Sequence, residues 1–309
     1  VTGTPSAGGP VHRVPPPAVT VVIATRDRRD ELLRTVRRLR ELPERPEVIV
    51  VDNGSSDGTA GAVAALGDPG TTVLGLGRNL GAPARNLGVA AARTPYVAFS
   101  DDDSWWEPGS LARACAVFDR NPRLGLIAGR TFVGATRAPD PINAAMAETP
   151  LPAGPRPLPG PPVLGFLACA AVVRREAFLQ VGGFNSVLFF VGEERLLAYD
   201  LAAAGWDRCH VPDVVAVHEP SPRRHGDGAR RAAELRNTLL TAVLRRPAAL
   251  AARETARLAV RAPADGAARR ALVGALRRLP AALAARRPLP APVEHAAGLI
   301  DRHVPEPVP

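Results

Sequence analysis

The chain has 309 residues, and all 39 of its Lys+Arg residues are arginines, against 30 acids, for a net charge of +9. An apolar fraction of 46% excludes a wholly disordered chain, and the lack of lysine excludes any lysine-dependent chemistry. Cys115, Cys169 and Cys209 are far apart and form no CxxC, so neither a disulfide framework nor a zinc site is expected, and a reducing cytoplasm fits best.

Residues 1–17 are Gly/Pro-rich and read as a flexible leader without an apolar signal segment. Val19–Ala24 (VTVVIA) is a β-branched run of the kind a buried parallel strand needs. Asp30–Leu42 carries Leu32, Leu33, Val36 and Leu39 on one helical face. Strands are expected at Val48–Val51, Val73–Leu76 and Tyr96–Ser100, and helices at Thr59–Leu66 and Ala82–Ala92. Strand-then-helix repetition predicts an α/β fold with a mostly parallel sheet flanked by helices. Ligands of such sheets bind beyond the carboxyl ends of the strands. Asp52 and Asp101-Asp102-Asp103 both stand at such ends.

Further on, residues 138–162 are Pro-rich and predict an irregular loop, long enough for a lid or partner-facing segment. The apolar run 163–173 is too short to span a bilayer. A short helix is expected from Arg174, a longer one over Val191–Ala204, and a strand at Val214–Val217. Residues 1–221 carry 22 arginines and 23 acids, whereas 222–309 carry 17 arginines and 7 acids. The positive excess therefore lies in the last third, and a boundary is expected within Pro220–Arg224. Residues 229–287 are Ala/Arg/Leu-rich and helical by propensity. Leu272, Leu276, Leu279 and Leu283 recur at helical spacing, with Arg269, Arg270, Arg277 and Arg278 on another face and Pro280 expected to bend or end the helix. Two readings follow. Either the leucines pack on the preceding region and the arginines are solvated, or the helix lies on an anionic membrane.

Three adjacent carboxylates after an apolar strand repel one another, and a divalent cation relieves this: hard oxygen ligands suit Mg²⁺ or Mn²⁺. Read alone, the cluster is equally a solvated acidic turn. Asp52 can accept hydrogen bonds from a base or ribose, but the segment after it also reads as a βα turn with a helix cap. Glu193-Glu194 can serve as a proton acceptor or simply face the positive end of a helix.

VTVVIATRDR, VIVVDNGSSDGT, GRNLGAPARNLGVAAA and YVAFSDDDSWWEPGSL, in that order, resemble the N-terminal half of family 2 glycosyltransferases with the GT-A fold. VGGFNSVLFFVGEERLLAYDLAAAGW and VPDVVAVHEPS resemble the acceptor half of the same family. The resemblance spans about 19–221. It implies an inverting, metal-dependent transfer from a nucleotide-diphosphate sugar, with UDP the family's common carrier. It implies nucleotide contacts from Thr25, Arg26, Asp27, Asp52, Asn79, Arg85 and Asn86. Asp101 and Asp103 match the acids of the DxD motif. Asp103 is implied as a metal ligand and Asp101 as facing ribose or metal, and Asp102 between them is placed with Asp101 among the donor-binding residues. A histidine near the position of His218 often completes the metal set and suits Mn²⁺. The family usually has Glu-Asp where this chain has Glu193-Glu194; Glu194 then matches the base, with Glu193 the alternative. The family's aspartate two residues further is Leu196 here. Trp105-Trp106 offers stacking surface or core, and Gly182-Gly183-Phe184 resembles the loop near donor and acceptor.

The expected whole is a GT-A domain over 18–221 with a helical basic extension over 222–309. It would act in the cytoplasm, peripherally on the inner face of the membrane if 229–287 contacts lipid, on an unidentified acceptor that is lipid-linked or a glycan. Nucleic acid is not an expected partner. A sugar nucleotidyltransferase is the nearest alternative enzyme, but that class needs a Gly-rich phosphate loop with a catalytic Lys or Arg after the first strand, and ATRDRRD has no glycine and the chain no lysine. A non-enzymatic membrane- or nucleic-acid-binding module is the other alternative, and it leaves the acids unexplained.

Overall fold

The computed structural model describes residues 18–154, 156–221 and 227–303; the expected leader and most of the expected boundary segment lie outside these. The chain opens with β1 (Val19–Thr25), α1 (Arg29–Arg40), β2 (Glu47–Asp52), α2 (Thr59–Ala64), β3 (Thr71–Gly75), α3 (Ala84–Ala91) and β4 (Tyr96–Ser100). Strands β3-β2-β1-β4 pair in parallel in that order, as the alternation of strand and helix requires. These strands are apolar on both faces because helices cover both. Val21 and Ile23 point toward Leu32, Val36 and Leu39 of α1, while Val22 packs with α3 on the other face. A Cβ on Gly88 would lie 2.5 Å from Cγ1 of Val22, so α3 can approach β1 closely only with glycine there.

The second half of the sheet is legible only in part: a helix from Arg174, a helix over Val191–Ala204 and a strand at Val214–Val217 are expected from the local pattern, and the other elements are not. It comprises β5 (Ser104–Trp106), α4 (Ser110–Arg120), β6 (Leu124–Val133), β8 (Ala171–Arg174), α6 (Arg175–Gln180), α7 (Glu193–Ala203) and β9 (Asp207–His218). β8 joins β4 antiparallel, β6 joins β8, and β9 runs parallel to β6 and antiparallel to β5. The sheet is thus mixed, parallel in its first half. The Pro-rich stretch is more ordered than expected: it holds the short β7 (Ala138–Pro139), paired with β6, and α5 (Ile142–Ala147), whose Met146 is buried.

Helices α8 (Asp227–Arg245), α9 (Ala248–Arg261), α10 (Gly266–Ala284) and α11 (Ala291–His303) complete the described chain. α8, α9 and α10 form an apolar cluster with Val187, Leu188 and Leu196, and α11 packs on Tyr199 and Leu164. Buried arginines reinforce the contact. Arg245 bonds Asp200 of α7 at 2.5 and 3.0 Å, and Arg246 bonds Glu294 and Asp301 at 2.7 and 2.8 Å. Part of the arginine excess is therefore internal rather than solvated.

Two expectations about α10 need correction. Of the two outcomes expected at Pro280, a bend or an end, the helix does not end there and runs on to Ala284. Nor is it the full leucine stripe that packs inward: the buried face is Ala267, Ala268, Ala271, Ala275 and Ala282, while Leu276 and Leu283 are 56% and 54% exposed. Small side chains win the inner face because α8 and α10 pack side by side, and alanine lets their axes approach. Among the described residues no helix is long and apolar enough to cross a membrane.

Candidate active site

Register assembles the site. Thr25 pairs with Asp52 across β1 and β2, and Ile23 pairs with Ser100 of β4, so Thr25, Asp52 and Asp101 share one edge of the sheet. On the far side, Ser104 of β5 pairs with His218 of β9, which sets the imidazole beside Asp103. The Nε2 of His218 lies 3.3 Å from an Asp103 carboxylate oxygen. Ligand atoms of Asp101, Asp103 and His218 all lie within 4.8 Å of one another. Two carboxylates and one imidazole at this separation fit a divalent cation and leave further positions for diphosphate oxygens.

The central acid faces another way. Asp102 accepts from the Thr25 hydroxyl at 2.9 Å and from Arg28 Nε at 3.2 Å, while its backbone oxygen accepts from Thr35. It thereby ties the β1–α1 loop to the acidic turn. Burial pushes its carboxyl up to about 7 despite the neighbouring Arg28. Arg28 also donates to Asp103 at 2.9 Å, and the Ser221 N–H donates to the same oxygen. Burial alone would raise the Asp103 carboxyl. The hydrogen bonds from His218 and Ser221 and the charge of Arg28 outweigh it and hold this acid below its usual range, ready as an anion. Arg28 sits one residue past the loop positions assigned from sequence; its function was missed because its partners are more than seventy residues away.

Arg85 is the cationic hub. It is buried, donates to Asp101 at 2.5 Å, and lies near Glu193 and Glu194. Burial opposes its charge, but these three carboxylates more than offset that and raise its pKa. Glu193 is 2% exposed, and its Oε2 is buried without a hydrogen-bond partner. Burial and the neighbouring Glu194 push its carboxyl up. Glu194 is only partly buried, and burial raises its carboxyl too. Of the two, Glu194 is the more exposed residue. Both open α7 after a turn in which Phe189 and Val191 take positive φ, 68° and 72°. Such a conformation costs on the order of 1–3 kcal/mol per residue and persists only where the surroundings enforce it.

The other sequence-assigned residues divide into those that line the edge and those that build it. Asp52 is buried and accepts from the Ser55 N–H and hydroxyl at 3.0 and 2.5 Å. Asp27 accepts from the Ser56 N–H at 2.7 Å and so joins the loops after β1 and β2, while Arg26 is half exposed and pairs with Asp27. Asn79 holds its own turn by accepting from the Gly81 N–H. Asn86 clamps the Phe184 backbone by donating to its C=O and accepting from its N–H. Asn53 organises the β3–α3 loop by bonding Leu80 and Gly81, a function sequence reasoning missed. Trp106 is core, and Trp105 is covered by the Arg38 guanidinium at 3.8 Å. All three cysteines are free and buried, as expected of small apolar residues.

Comparison with known proteins agrees with this geometry. Residues 20–182 match the pattern described as glycosyl transferase family 2. An "N-acetylglucosaminyl-diphospho-decaprenol L-rhamnosyltransferase" of Mycobacterium tuberculosis is 30% identical over 64% of this chain and 75% of its own length. A "pre-mycofactocin glycosyltransferase" of the same organism is 33% identical over 68% of this chain and 44% of its own. Among solved structures, a mannosyltransferase from Pyrobaculum calidifontis in complex with GDP-Man and Mn²⁺ superposes with a TM-score of 0.57 at 23% identity, covering 94% of this chain and 80% of that one. With more than half of its length inside the family pattern, this chain belongs to glycosyl transferase family 2 and is a glycosyltransferase.

Proposed function

We propose that the protein moves a sugar from a nucleotide-diphosphate sugar to an acceptor hydroxyl with inversion at the anomeric carbon, and that Glu194 is the general base. The observation that carries this reading is the meeting of Asp101, Asp103 and His218 at one sheet edge, with Arg85 linking Asp101 to the Glu193–Glu194 pair. Asp52 and the joined β1 and β2 loops supply acceptors for the base and ribose. Asp101, Asp103 and His218 would hold a divalent cation, which would supply positive charge to offset that on a departing diphosphate. Arg85 holds Asp101 in place and adds positive charge beside it. Glu194 takes the proton from the attacking hydroxyl, and its raised pKa brings its basicity closer to that task at neutral pH.

The acceptor we infer is a sugar carried on a polyisoprenyl diphosphate, the class named for the mycobacterial rhamnosyltransferase relative. The outer face of α10 supports a place at the cytoplasmic membrane surface. Arg269, Val273, Leu276, Pro280 and Leu283 fall within about 80° of one another at 100° per residue. Val273, Leu276 and Leu283 are 43%, 56% and 54% exposed, and Arg270 and Arg277 run along one side of them. Exposed apolar residues bordered by arginine suit an anionic lipid surface. The test is nucleoside diphosphate release from UDP-, GDP- and dTDP-sugars with Mn²⁺ or Mg²⁺, with and without polyisoprenyl diphosphate sugars in mixed micelles. Metal-dependent turnover stimulated by the lipid is the expected result. Turnover of none of these donors, with the protein folded, overturns the reading.

A further inference from the structure

The strained turn before Glu193 has a specific anchor outside the family-matched region. Asn237, in the middle of α8, is 2% exposed, and the two N–H bonds of its Nδ2 are shared among the backbone oxygens of Leu188, Phe190 and Val191, at 3.0, 2.6 and 2.6 Å. Arg236 adds a bond to the Leu188 oxygen at 3.2 Å and orients the Asn237 amide by donating to its Oδ1 at 2.9 Å. From the other side, the Ala82 N–H donates to the Phe189 oxygen at 2.7 Å. A Cβ on Gly81 would lie 2.2 Å from that same oxygen, so the loop that leads into Arg85 presses directly on the turn.

We propose that Asn237 is a positioning residue for the Glu193–Glu194 pair, a reading that rests on the proposed role of Glu194. Three carbonyls that converge on one point repel one another, and two positive-φ side chains in the same turn add strain. The turn keeps this shape only where donors face those carbonyls, and Asn237 supplies them from the basic C-terminal helices. Those helices therefore complete the catalytic region. Without the amide the turn relaxes, and the first residues of α7 move with it, because Gly192 is its N-terminal cap and has no side chain to hold the helix start. Displacing a reacting group by about 1 Å costs on the order of 100-fold in rate.

The test uses the full chain with Asn237→Asp, which keeps the shape but removes the donors, and with Asn237→Ala. Leu258→Ala on α9 serves as a control that weakens the same apolar cluster from another helix. Two readouts are taken: backbone hydrogen exchange over residues 187–196, and kcat and KM for the most active of the UDP-, GDP- and dTDP-sugars. Both Asn237 variants are expected to speed exchange in that segment by about tenfold or more. They should also lower kcat by about tenfold to 100-fold, with KM for the donor changed by less than about threefold. Leu258→Ala should lower the melting temperature while leaving exchange at 187–196 and kcat near wild type. Unchanged exchange in both Asn237 variants overturns the proposal. So does faster exchange with unchanged kcat, or an equal fall of kcat in Leu258→Ala. A wild-type protein that turns over no donor refutes the assigned chemistry instead, and the exchange measurement still decides whether Asn237 holds the turn.

Discussion

Replacing Arg85 by methionine removes the only cation that the structure places between Asp101 and the two glutamates among the described residues. The arginine is 6% exposed, so water does not take its place. Two unit charges about 4 Å apart interact by about 4 kcal/mol at an effective dielectric of about 20. Measured losses on breaking one side of a buried pair are about 3–5 kcal/mol. For a chain of this size that corresponds to a fall in Tm of roughly 5–8 °C. The loss should depend on pH in a definite direction. Burial already raises the carboxyl pKa of Glu193 and Glu194 above the unfolded value. A group of this kind stabilises the native state below its unfolded pKa, and that contribution is lost as pH rises through the folded value. Arg85 lowers both values; without it they rise further and the ionised forms become costlier. The deficit of Arg85→Met relative to wild type should therefore be smaller at pH 5 than at pH 8, with a residual loss at pH 5 from the broken Asp101 pair. Thermal unfolding in metal-free buffer at the two pH values measures it. An equal deficit at both would refute the placement of Arg85 as counter-ion to the glutamates.

Asp103→Asn should abolish saturable Mn²⁺ binding by calorimetry and reduce donor turnover by about 100-fold or more, because the position can no longer supply an anionic ligand. Glu194→Gln should lower kcat by about 100-fold to 10,000-fold while leaving Mn²⁺ and nucleotide affinity intact, as removal of a general base does. If Glu193→Gln gave that result and Glu194→Gln did not, the base would be the buried residue. Leu276→Glu combined with Leu283→Glu should remove flotation with anionic liposomes and change Tm little, since exposed substitutions typically fall within about 0.5 kcal/mol; undiminished flotation would exclude the α10 face as the contact.

Much of this was determined by local sequence. The strands β1, β2, β3 and β4 are apolar runs, and α1 has its leucines at 3.6-residue spacing, so their positions and their parallel sheet were legible without a structure. The acids at strand ends were legible for the same reason, since the carboxyl edge of a parallel sheet is where ligands bind. What only the tertiary structure decided are the pairings between distant residues. The bond of Asp102 to Arg28 rather than toward a metal, the placing of His218 beside Asp103 by the β5–β9 register, and the three carbonyls held by Asn237 all join segments 46 to 115 residues apart. The charge asymmetry was read correctly as a property of the last third but not in its use. Arg245 and Arg246 are buried in ion pairs, and α10 turns its alanines inward and two of its leucines outward. A helical wheel defines which residues share a face; which face is buried depends on how closely the neighbouring helix approaches, and that distance is a property of the packed molecule.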